Sequence, residues 1–275
     1  MPDPEPPTVP EQREVLAHVE ATVVDRSTQA LSIAVARGYR VDEVLEVTLD
    51  GAPLPVEEVA GAHGARIHLL RDVPPGSLVV DYRATVHGPA PVAVADDADW
   101  LASLRPSRYC ESDRIGAFAR TEFGGASVAE LLERIPAWVA ARVRYVPGVS
   151  RPIDGAAATL MAGEGVCRDF AHLTCALLRA NDVSARMVSA YAPGLDPMDF
   201  HAVTEALVDG RWCVVDPTGL APRQSLVRIA TGADAAETAF LTTIGGRVDL
   251  TGIEVGAIAQ PTLPYDDMSL RRELR

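Results

Sequence analysis

Between Gly163 and Asp216 the sequence admits few arrangements of helix and sheet. Gly163-Glu164-Gly165 signals a tight turn. After it, Phe170, Leu173, Thr174, Leu177 and Leu178 recur at helical spacing, with Ala171, Ala176 and Ala180 between them. Further on, Asp209-Gly210 separates two alternating runs, 201–208 and 211–216, as a two-residue hairpin turn does. In that register Val208 pairs with Arg211 and Val203 with Asp216. One face then carries His201, Val203, Glu205, Leu207, Trp212, Val214 and Asp216. The other carries Ala202, Thr204, Ala206, Val208, Cys213 and Val215. A helix followed by an antiparallel hairpin predicts an α+β unit.

The same stretch carries chemistry. Cys167 falls in the first helical turn, where unpaired N–H groups and the dipole favour a thiolate and hold a thiol below its free value of about 8.5. Asp169 shares that turn and is expected to point away from the sulfur. On the hairpin, His201 and Asp216 become diagonal neighbours, roughly 7–8 Å apart at the backbone. A thiol, an imidazole and a carboxylate in this order are the parts of an activated cysteine nucleophile. Most free cysteines are simply small buried residues; the hairpin register tips the reading towards function. A metal site from Cys167, His172 and His201 is disfavoured, because residues five apart on a helix point about 140° away from each other. No metal or cofactor is expected.

GEGVCRDFAHL, DFHAV and WCVVDPT resemble the Cys, His and Asp blocks of the transglutaminase-like superfamily, in its bacterial branch. The likeness extends upstream to residues 104–110 and 145–149 and covers roughly 100–220. It implies a papain-like core with Cys167 as nucleophile, His201 as base and Asp216 as orienting carboxylate. Many relatives have Gln after the cysteine, where this chain has Arg168. Animal transglutaminases place a tryptophan at the oxyanion site, and the nearby candidate here is Trp138, within an apparent amphipathic helix. There is no calcium-loop pattern, so calcium-dependent cross-linking is not supported.

A formal net charge of -13 argues against nucleic-acid and anionic membrane partners. All 25 basic residues are arginine, so the protein cannot be its own lysine acyl acceptor. Cysteines 110, 167, 175 and 213 form no CxxC pair, and Cys167 and Cys175 would sit about 12 Å apart along one helix, too far for a disulfide. Reduced thiols and an N-terminus unlike a signal peptide predict a cytoplasmic protein. No apolar run reaches the roughly 18 residues of a membrane span.

In chain order, residues 1–14 are expected to be a disordered lead-in. Residues 15–95 form a β-rich, sandwich-like module, with strands predicted at 16–24, 31–36, 41–49, 66–70 and 78–86. The histidines in it, His18, His63, His68 and His87, have no ligand spacing. A linker at 88–98 leads to a catalytic domain over 99–260. Within it, Ser127 and Glu130 form a capping box for a helix over 128–142. A short helix is expected at 156–161, a strand at 185–191 before the hairpin, another at 227–231, a short helix at 234–240 and a last strand at 253–258. Residues 261–275 are expected to be a tail.

The expected function is acyl transfer through a Cys167 thioester, with hydrolysis of a peptide or amide bond favoured over cross-linking. A catalytically idle domain that binds a protein partner is the second reading, and the presence of all three residue types in order tells against it.

Overall fold

The computed structural model describes residues 9–275. It opens with strands β1 (Gln12–Val23), β2 (Ser27–Leu31), β3 (Arg40–Leu49), the short β4 (Ala52–Pro53) and β5 (Glu57–Ala60), β6 (Arg66–Val73) and β7 (Gly76–His87). Alternation decides which way each strand faces. Along β1, Val15, Ala17, Val19, Ala21 and Val23 are buried, while Glu20 and Thr22 are exposed. Helices follow: α1 (Asp97–Ala102), α2 (Gly116–Phe123) and α3 (Val128–Arg142), then the short β8 (Arg144–Tyr145), α4 (Ala156–Ala162), the short β9 (Glu164–Gly165) and α5 (Cys167–Ala180). Next come β10 (Ala185–Tyr191), β11 (His201–Val208), β12 (Arg211–Val215), β13 (Val227–Gly232) and α6 (Ala235–Thr238). The last strands are β14 (Leu241–Ile244) and β15 (Val248–Gln260).

Three principal sheets result. Two of them, ordered β15-β1-β7-β3-β4 and β14-β2-β6-β5, pack as a sandwich around Val19, Val80 and Tyr82 from one and Leu31, Leu70 and Val73 from the other. The third, ordered β12-β11-β10-β13, is antiparallel throughout. Helix α5 lies against it, every residue from Asp169 to Ala180 being buried. Its outer side is covered by Ala119, Phe123, Leu131, Ile135 and Val139 of α2 and α3. The architecture is α+β, as expected.

The hairpin has the anticipated register, Val208 against Arg211 and Glu205 against Val214. Its turn residues Asp209 and Gly210 both have positive φ, 51° and 77°. The capping box also forms, Ser127 and Glu130 exchanging hydrogen bonds at the start of α3.

Four differences concern the boundaries. Strands β14 and β15 do not join the α5 sheet; they pair with β2 and β1. Residues 241–260 therefore belong to the sandwich rather than to a catalytic domain over 99–260, and α1 to α6 form an insertion between β7 and β14. Alternation identifies a strand but not its partner, and β1 and β2 offered open edges. The strand expected at 31–36 lies instead at Ser27–Leu31 and shares only Leu31 with that range. Residues beyond Leu31 stay buried because their polar groups are met elsewhere. Ser32 N–H donates to Phe240 O, Ala36 N–H to Arg228 O, and the Tyr191 hydroxyl to Ile33 O at 2.8 Å. This segment is the seam between sandwich and insertion. Of the expected lead-in, residues 1–8 lie outside the described residues, and 12–14 already belong to β1. The tail has no helix or strand, yet it is tied down: Arg223 pairs with Asp266 at 2.8 Å, and Val214 N–H donates to Arg272 O at 2.7 Å. The latter bond covers part of the free edge of β12.

Candidate active site

The turn before Cys167 needs both of its glycines. Gly163 ends α4 with φ 65°, and a side chain at Gly165 would bring a Cβ within 2.6 Å of the Asp169 Cβ. Asp169 fills that space with a purpose: its carboxylate accepts the Val166 N–H at 2.8 Å and the Ser150 hydroxyl at 2.9 Å. It is engaged there, on the far side of its own helical turn. Arg168 reaches the same loop, donating to Ser150 Oγ and to Arg151 O. Cys167 is left half-buried at the first position of α5, its Sγ 4.0 Å from Phe200 O.

His201 opens β11 and is buried, as is Asp216 just beyond β12. Their side chains meet, His201 Nε2 to Asp216 Oδ2, at 2.7 Å. Thr218 satisfies the other carboxylate oxygen twice, through its N–H at 2.9 Å and its hydroxyl at 2.6 Å. Burial alone would raise the Asp216 pKa, but His201 and the Thr218 donors hold it below the ordinary carboxylate value. Burial alone would lower that of His201. The Asp216 carboxylate, and then Cys167, outweigh this and raise it to about 10. With Nε2 on Asp216, the buried Nδ1 has no hydrogen-bond partner among the described residues and is the nitrogen left for Cys167. The three residues singled out in the sequence are thus brought together at one end of α5.

Other groups are placed differently. His172 is fully buried, accepts the Ala235 N–H at 3.2 Å and stacks on Tyr109 at 5.3 Å. Burial, partly offset by Asp234, lowers its pKa to about 3, so it is a neutral packing residue. Trp138, on α3, packs half-buried against Phe118 and Phe123 of α2. Among the described residues no group of three or more His, Cys, Asp or Glu could hold a metal ion. Thr218 escaped the sequence reading, although its place two residues after Asp216 is the spacing of an Asx turn.

The face of the third sheet that bears His201 also holds a buried ion cluster that the alternation pattern did not reveal. Glu205 pairs with Arg186 at 2.8 Å and with Arg228 at 2.6 Å. Arg186 in turn lies 3.8 Å from the centre of the Trp212 ring. Burial would neutralise Glu205, but the two guanidiniums keep its pKa low.

Known proteins resemble this chain. The family profile described as the transglutaminase-like superfamily matches residues 118–217, the span holding α5 and the hairpin. A crystal structure of a candidate cysteine protease from Cytophaga hutchinsonii is 30% identical, with a TM-score of 0.85 over 98% of this chain and 96% of that one. An uncharacterized protein of Mycobacterium leprae, ML0607, is 26% identical over 174 residues, 60% of this chain and 61% of that protein. The chain therefore spans under two thirds of that curated relative. The match to the Cytophaga protein, by contrast, runs through sandwich and insertion alike, and the chain belongs to the transglutaminase-like superfamily.

Proposed function

We propose that this protein is a cysteine-dependent acyl-transfer enzyme that hydrolyses a peptide or amide bond. The observation that carries this reading is the buried His201–Asp216 pair at 2.7 Å, with His201 Nδ1 left for Cys167. Cys167 Sγ attacks the substrate carbonyl while His201 holds the thiol proton. The C–N bond then breaks, and His201 gives that proton to the departing amine. Asp216 fixes the imidazole orientation and stabilises its charged form. Water, deprotonated by His201, resolves the thioester and releases the acid. Water is preferred to an amine as acceptor because the Cytophaga relative is named as a candidate cysteine protease. Four free cysteines suit a reducing compartment, and we place the enzyme in the cytoplasm.

The test is intact-mass detection of an acyl adduct after exposure to a peptide and amide library. The wild type should gain the acyl mass on Cys167, and Cys167→Ala should not. The absence of both adduct and turnover across the library, from protein whose Cys167 still reacts with iodoacetamide, would defeat the reading.

A further inference from the structure

The loop that leads from β10 to His201 brings its backbone to the sulfur of Cys167, and it is anchored at both ends. Near β10, Pro193 O accepts the Ser225 hydroxyl at 3.0 Å, and Leu195 is buried in the core. At the other end the Phe200 ring packs against Tyr191 and Phe240, each at 5.4 Å. Phe200 O is thereby held 4.0 Å from Cys167 Sγ. The residues between these anchors, 196–199, are exposed.

Asp199 closes that exposed stretch. Its Oδ1 accepts the Phe200 N–H at 2.7 Å, so the carboxylate is fixed to the same residue whose carbonyl meets the sulfur. Bond lengths keep a residue's own N and O within about 3.6 Å of each other, which places this carboxylate oxygen no further than about 10 Å from Sγ. That is the span of about three extended residues. Carboxylates on the segments next to the start of α5 are already engaged. Asp169 accepts from Val166 and Ser150, Asp154 pairs with Arg151 at 2.7 Å, and Glu164 pairs with Arg144 at 2.7 Å. Asp199 has no basic partner among the described residues, its bond being the one to Phe200. Asp196 on the same loop is exposed as well, so the loop presents negative charge beside the site.

We propose that Asp199 is a specificity-determining residue, whose carboxylate receives an ammonium or guanidinium that the substrate carries within about three residues of the cleaved bond. The inference rests on acyl transfer by Cys167 and names the substrate class for it, a cationic peptide or amide. Phe200 fixes the carboxylate beforehand, so pairing with the substrate's charge orders little that is not ordered already.

The test is turnover of a peptide library made in pairs, lysine against norleucine, which keeps the four-carbon stem without the charge. Lysine is scanned along each peptide on both sides of the cleaved bond. The wild type should favour lysine at one or more positions by about tenfold, as a hydrogen bond between charged groups would give. Asp199→Asn removes the charge but keeps an oxygen for the Phe200 N–H, and its lysine-to-norleucine ratio should fall towards one. No lysine preference in the wild type overturns the proposal, whether or not the variant folds. So does a ratio that survives in Asp199→Asn, which would leave Asp199 a residue that only supports Phe200. Turnover of no pair, by protein whose Cys167 reacts with iodoacetamide, refutes the acyl-transfer reading and this inference with it, an outcome distinct from equal turnover of both members.

Discussion

His201 is the residue on which pH acts most directly. Its folded pKa of about 10 lies above an unfolded value near 6.5. The stabilisation it contributes is therefore complete below about pH 6.5 and is lost as the pH rises through about 10. Asp216 is shifted the opposite way, so its contribution holds above the unfolded value of 3.8 and is lost on acidification through its lowered folded pKa. Thermal melts between pH 7 and 10 should show a decline in the wild type that is shallower in Asp216→Asn, where the main anion raising His201 is gone. Equal slopes would mean that the pair is not ionised as drawn. In turnover, His201→Ala should abolish thioester formation, and Asp216→Asn should retain weak activity, down by up to about 10⁴-fold. Iodoacetamide should label Cys167 and spare Cys110 and Cys175, which are fully buried beside each other. Burial also holds the Cys110 thiol well above its ordinary value. Mass mapping after brief labelling checks this. Cys167, His201 and Asp216 were legible because each is fixed by a local signal: a glycine turn, a strand start, a strand end. Thr218 was not, since its bonds to Asp216 are set by the turn after β12 rather than by a residue pattern.

Among the elements, the hairpin and α3 could be read because a short motif sets each one: Asp209-Gly210 for the turn, Ser127 and Glu130 for the cap. Helix α2 gave no such sign. Its buried Gly116, Ala119 and Phe123 have helical spacing, but Ile115 precedes them with no side chain able to cap. The Arg186–Glu205–Arg228 cluster was hidden for another reason. Its members come from β10, β11 and β13, and only the sheet order puts them together. Glu205 has no exposed side-chain surface, and its partners have 5% and 9%. Glu205→Ala would strand two guanidiniums in the interior, at about 3–5 kcal/mol. Urea unfolding should show that loss as a lower midpoint at unchanged slope. A change within about 0.5 kcal/mol, the ordinary range for surface substitutions, would show that water reaches the cluster.

For the whole molecule, the sandwich is assembled from both ends of the described chain, and the unit holding Cys167 is inserted between them. The sequence displayed the alternation of residues 253–258 but not their partner, because pairing over such a separation leaves no local trace. Truncation after residue 240 removes both β14 and β15, which uncovers the edges of β1 and β2. The truncated protein should aggregate or lose cooperative unfolding, as light scattering and denaturation curves would show; a soluble, cooperative fragment would contradict the pairing's importance. Strand order also sets a timetable for synthesis. Residues 24–247 separate the last residue of β1 from the first of β15. At about 5–20 residues per second, β1 waits roughly 10–45 s on the ribosome for its outer neighbour. Nascent β1 has β7 to pair with early, yet its other edge stays open until β15 is made. During that interval the helices and sheet of the inserted unit, all made by residue 240, can fold ahead of the sandwich that precedes them in the chain, with the tail segment that covers the β12 edge still to come.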